Sequence, residues 1–216
     1  MDYATQKPAA ATVSQPIMVG SISEGLVGGG AAVLAILGLS GVYPTLLLEI
    51  AVIAIGAAFL IEGTTVASRY SRLLTEVSSQ RSGMEISGGM NAEFFGGVSG
   101  VVLGILALIG IAPITLISIA VIVFGATLIG SGSSSSRLLS IFSSEDQRVN
   151  RIAQEAANSA VSVEVMAGLG TITLGVLALI GILPLTLNLV AVLVAGSVIL
   201  MSGSAIGSKI AGTMSR

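Results

Sequence analysis

A chain of 216 residues that is 53% apolar and 9% charged, with a mean hydropathy of +1.00, cannot dress a water-facing surface. The absence of Cys and His excludes disulfides, thiolate or imidazole metal sites, bis-histidine haem and any Ser-His or Cys-His nucleophile. Nine scattered Lys and Arg, at a net charge of −2, exclude a nucleic-acid surface, whereas 28 glycines suit closely packed transmembrane helices.

Residues 1–20 are small and polar, carry Pro8 and Pro16, and read as a flexible tail. Lys7 is not followed by an apolar core, so they do not make a signal peptide. Residues 21–63 form the first hairpin, with apolar arms over 25–43 and 44–62. Residues 64–92 are a connector. The second hairpin spans 93–132, with arms over 94–112 and 113–131. An amphipathic connector follows over 133–163, then the third hairpin over 164–203, with arms over 165–183 and 184–202. Residues 204–216 are the C-terminal tail. Each arm has 19 residues, about 28 Å of helix, close to the hydrocarbon thickness of a bilayer.

The three hairpins superimpose without gaps after shifts of 69 and then 71 residues, which carry Pro44 onto Pro113 and Pro184. The same shifts match Gly41, Gly110 and Gly181; Gly28, Gly97 and Gly168; Gly56, Gly125 and Gly196; and Glu24, Glu93 and Glu164. So many coincidences at once indicate internal triplication. Gly41 and its counterparts suit a helix C-cap, and proline three residues later suits the first turn of the next helix. The spacing predicts an all-α integral membrane protein. Six transmembrane helices form three tandem hairpins in parallel orientation.

Every Lys and Arg lies in a tail or a connector and none in a proline turn, which places the termini and both connectors in the cytoplasm. The turns themselves are apolar, as in Gly110-Ile111-Ala112-Pro113. They barely reach the far interface, dip into the bilayer without crossing, or are covered by another subunit. In the second connector, Val149, Ile152, Ala153, Ala156, Ala157 and Ala160 fall three or four apart, the signature of an amphipathic helix. It continues a spanning helix, lies along the membrane, or docks a cytoplasmic partner.

Candidate sites are few. Glu49 is the charged residue inside the arms proper, Glu62 merely ending its arm, and an ionisable group there is a functional hypothesis by default. Its bland counterpart is an interfacial anchor or an inter-helix hydrogen bond. Glu24, Glu93 and Glu164 stand at helix N-termini, where the macrodipole favours a carboxylate. Their sharper reading is a ring that attracts cations or a partner. Gly100 and Gly104, spaced by four like Gly96 and Gly100, join the matched glycines as helix-packing positions.

A Gly-rich first arm, a tight turn and a carboxylate on the second arm resemble the proteolipid subunits of rotary ATPases. The resemblance covers hairpin architecture. It would imply an ion-binding carboxylate at mid-helix and a polar basic loop, whereas these turns are apolar and Glu49 is unmatched in the other hairpins. No ion-binding residue is carried over from it.

The expected function is non-catalytic. The chain reads as a membrane scaffold or accessory subunit that oligomerises through Gly-rich faces within a larger complex. It needs no cofactor, and its partners are lipids, further copies of itself or other membrane subunits. The alternatives are a proteolipid-like ion pathway and a chamber that sequesters lipid or quinone.

Overall fold

Glycine followed three residues later by proline decides where each helix pair turns. The computed structural model describes the backbone of residues 11–76, 83–141 and 147–214, and the side chains of residues 25–63, 92–131 and 161–202. Within them the chain is all-helical: α1 (Ala11–Leu39), α2 (Pro44–Glu76), α3 (Gly83–Leu108), α4 (Pro113–Ile141), α5 (Gln147–Leu179) and α6 (Pro184–Met214).

At the first turn Gly41 takes φ +91°, its N–H donates to the Gly38 carbonyl at 3.0 Å, and the Val42 N–H donates to the Leu37 carbonyl at 3.2 Å. These two bonds make a Schellman cap, which a residue without a Cβ enters at least cost. Gly110 and Gly181 repeat the pattern with φ +92° each, bonded to Ala107 and Ala178. Tyr43, Ala112 and Leu183 then take φ between +38° and +39°, each directly before a proline. A left-handed residue that carries a Cβ costs about 1–2 kcal/mol. The proline repays it in geometry, because its fixed φ starts the next helix, whose first bond is accepted by that left-handed residue's carbonyl.

The helices overrun the expected arms. α1 begins at Ala11, inside the segment expected as a flexible tail, and both expected connectors are largely continuations of helices. α2 runs on to Glu76 and α4 to Ile141, while the amphipathic run of the second connector enters α5. The physical reason is that no proline interrupts residues 64–76 or 147–163, and alanine is the strongest helix former. Four helices contain stretches long and apolar enough to cross a membrane: Pro44–Gly63, Pro113–Ser131, Val161–Leu179 and Pro184–Ser202. The described apolar stretches of α1 and α3, Gly25–Leu39 and Ala92–Leu108, are shorter.

The six helices close into a ring in which each packs against its two chain neighbours and α1 packs against α6. Only α2, α4 and α6 also touch one another, so they form an inner triangle with α1, α3 and α5 outside it. The inner helices bury their large side chains at helical spacing: Leu48, Val52, Ile55 and Phe59 on α2, Ile117, Val121, Phe124 and Leu128 on α4. Asn188, Val192, Ala195 and Ile199 complete the set on α6, and none of the twelve is more than 2% exposed. The Phe59 and Phe124 rings meet at 5.6 Å between centroids, tilted by 52°.

The outer helices are patterned the other way round. Their inward faces are small: Ala31 and Ala35 on α1, Gly100 and Gly104 on α3, Gly168 and Gly175 on α5. Their outward faces carry Ile36, Phe95, Val102, Met166 and Leu169, all exposed. Small faces let backbones approach where lipid removes any hydrophobic drive between helices. A Cβ on Gly28 of α1 would lie 2.8 Å from the carbonyl oxygen of Gly196 on α6, and one on Gly168 of α5 2.6 Å from that of Gly125 on α4. Gly97 of α3 meets Gly56 of α2 in the same way. Gly100 faces the Phe124 ring, and Gly104 faces Ile53. The glycines expected to serve contacts between molecules are thus covered by helices of the same chain, because each outer helix lies across the crossing formed by an inner one.

Candidate functional site

The polar side chains inside the apolar ring fall into two groups, one near the proline turns and one at the opposite, connector end. Near the turns, Asn188 of α6 is fully buried, and its Nδ2 donates to Ser118 Oγ of α4 at 2.9 Å. The Ser118 hydroxyl in turn donates to the Ile114 carbonyl at 2.8 Å. The relay therefore runs amide to hydroxyl to backbone, and the Asn188 Oδ1 is left with no hydrogen-bond partner. The shifts that match the hairpins put Asn188 level with Leu48 and Ile117, so one amide stands where the other two inner helices carry hydrocarbon.

Glu49 is 6% exposed on α2, one turn beyond Pro44, at the position matched by Ser118 and Leu189.

At the connector end a cavity of about 10 Å³ is lined by Glu62, Ser131, Ser202 and Glu164 over an apolar floor of Phe59, Leu128, Val198 and Ile199. That volume suits about one water molecule. The Ser131 hydroxyl donates to the Leu128 carbonyl at 3.1 Å, and the Glu164 Oε2 is inaccessible and accepts no hydrogen bond. Glu62, Ser131 and Ser202 are matched positions of the three inner helices. Glu62 ends its arm in the sequence, and the hydroxyls of Ser131 and Ser202 at the matched positions are the signal there that points to it.

Of the three carboxylates whose sharper reading is a ring, Glu93 and Glu164 are among the described side chains. Glu164 lines the cavity, while Glu93 is buried beside Gly63 of α2, where an added Cβ would lie 3.5 Å from that of Glu93. The Glu24 side chain lies outside the described residues. Among the described residues, no three His, Cys, Asp or Glu gather in metal-binding range.

Further hydroxyls within the helices bond back to their own backbone, and that of Thr127 also reaches the Ala92 carbonyl of α3 at 3.4 Å. Thr127 donates to Val123 O at 2.9 Å, Thr171 to Ala167 O at 2.8 Å and Ser197 to Leu193 O at 2.7 Å. A hydroxyl engaged in this way offers no free donor to a passing ion. Between the two polar groups, Val52, Val121 and Val192, with Ile55, Phe124 and Ala195, belong to one continuous apolar cluster. All six are inaccessible, whereas a water-filled passage would leave such side chains wet.

Comparison of the chain with protein-family models, with curated proteins and with solved structures finds no match. The described residues thus define an all-helical protein, four of whose helices are long and apolar enough to cross a membrane.

Proposed function

We propose that the chain is a non-catalytic scaffold or accessory subunit of a membrane complex, built from three copies of one hairpin. In this reading all six helices cross the bilayer, the hairpins share one orientation, and the termini and connectors face the cytoplasm. The observation that carries it is the reversed patterning of α1, α3 and α5, with small residues inside and large apolar ones outside. Such a surface is compatible with lipid tails or with other membrane helices, and it is costly in water. Among the described residues the interior offers no acid–base pair and no open path, which weighs for a structural role and against conduction. Because the glycine faces are occupied within the chain, contact with further subunits falls to the outward faces and to the connector end.

Extraction in mild detergent followed by native mass measurement tests this. The reading expects either a homo-oligomer or a second membrane subunit at fixed stoichiometry. A lone 21.5 kDa chain under those conditions would overturn it.

A further inference from the structure

The two ends of the ring differ in kind. All nine Lys and Arg lie in the tails and in the segments between hairpins, and Glu62, Glu93 and Glu164 stand at that same end. The turn end carries no charged side chain at all within residues 40–43, 109–112 and 180–183. What it does present is large and apolar. Ile109 and Leu183 are each 69% exposed, and Val42, Ile111, Ile180 and Ile182 are exposed as well. Tyr43, at 76%, adds a ring with one polar atom, the side chain that favours a lipid–water boundary.

Length says where this end falls. Pro113–Ser131 has 19 residues, about 28 Å of helix, and the hydrocarbon core is about 30 Å thick. With Glu62, Glu93 and Glu164 at one boundary, the turns arrive at the other and go no further. Their backbone is prepared for that depth. At the first turn the N–H groups of Ser40, Gly41 and Val42 are all bonded within the chain, and Pro44 has none to offer. The other two turns repeat these bonds from Ile109, Gly110 and Ile111 and from Ile180, Gly181 and Ile182. Unpaired backbone N–H and C=O groups both make irregular chain costly near hydrocarbon, and here three donors of each turn are already paired.

Resting on the membrane reading above, we infer that the three turns are seated in the acyl-chain boundary of the far leaflet. The side chains of Val42, Ile111, Ile182 and Leu183 lie among lipid tails, and the backbone lies at the level where the first water reaches. The turn end is a lipid-binding surface. It is neither a set of water-exposed loops nor a platform for a second protein.

The chain has no cysteine, so single nitroxide labels can be placed without background. The experiment places one at Ile111→Cys, one at Ile182→Cys and one at Val102→Cys, the last on the outward face of α3, in phosphatidylcholine vesicles. Collisions with oxygen, which concentrates in lipid, are compared with collisions with a water-soluble nickel chelate. The expected result is greater oxygen than nickel accessibility at both turns, with a shallower balance than at Val102. Nickel-accessible turn labels beside an oxygen-accessible Val102 label would overturn the inference and leave the membrane reading standing. Turn labels shielded from both reagents would overturn it in favour of a covering protein or a second copy. A Val102 label open to nickel would overturn both readings.

Discussion

Gly56 on α2 and Gly97 on α3 face each other so closely that a Cβ on Gly97 would lie 2.8 Å from the Gly56 carbonyl oxygen. A Cβ on Gly56 would lie 3.0 Å from that of Gly97. The obstacle on each side is backbone, which cannot rotate aside as a side chain can. This contact joins two hairpins rather than the two helices of one, and so do Gly125 with Gly168 and Gly196 with Gly28.

Leucine at Gly56, Gly125 or Gly168 is therefore expected to cost about 1–3 kcal/mol or more, because overpacking forces the helices apart. Alanine at Gly30, which has nothing within 4 Å of its position, is expected to be neutral, and Leu103→Ile to cost little. Size-exclusion profiles and thermal melts followed by circular dichroism check this; the chain has no Trp to report. Equal behaviour of Gly56→Leu and Gly30→Ala would show that the crossing is not tight.

Ser118 and Asn188 should be energetically coupled. Ser118→Ala removes the acceptor from a fully buried amide, so a loss of about 1–3 kcal/mol is expected. Asn188→Leu, which restores the hydrocarbon that the other inner helices carry, should be tolerated, since Ser118 keeps its bond to Ile114. The double variant should then resemble Asn188→Leu alone. Additive losses in this cycle would mean that the 2.9 Å contact contributes nothing.

No ion flux above that of empty vesicles is expected from the reconstituted protein, and Glu49→Gln should leave that baseline unchanged. The reason is the inaccessible Val52, Val121 and Val192 level, which Glu49 cannot bypass from one side. A flux that Glu49→Gln abolishes would replace the scaffold reading with an ion pathway.

Single cysteines at Ser79, Ser143 and Ser215 should react with an impermeant reagent from the same side of sealed vesicles. These positions lie outside the described residues, so the expectation rests on the distribution of Lys and Arg alone. Labelling of one of them from the opposite face would break the shared orientation of the hairpins.

The turns were the most legible feature of the chain, because Gly41 and Pro44 carry their conformational demands in their covalent structure. Helix ends were less so. Nothing in 64–76 announces that α2 should continue to Glu76 except the lack of a breaker, and polarity there suggested a loop. The choice of neighbour was not legible at all. Spacing shows that α3 has a small face at Gly97, Gly100 and Gly104, but a repeat pattern cannot say whether that face meets α2 or α4. In the folded chain it meets both, Gly97 against α2 and Gly100 against Phe124 of α4. Glu62 was overlooked for a similar reason: its importance lies in converging with Glu164, 102 residues away along the chain.

The packing of α1 against α6 has a consequence for synthesis. As the chain is made, α1 finds one of its two neighbours at once, in α2, and must wait for the other until α6 follows. Through that interval the small face around Gly28 and Ala31 has only lipid or a chaperone against it. Closure of the ring is thus deferred until α6 is made, so chains truncated before α6 should be left as open, sticky arcs rather than as smaller stable versions of the whole.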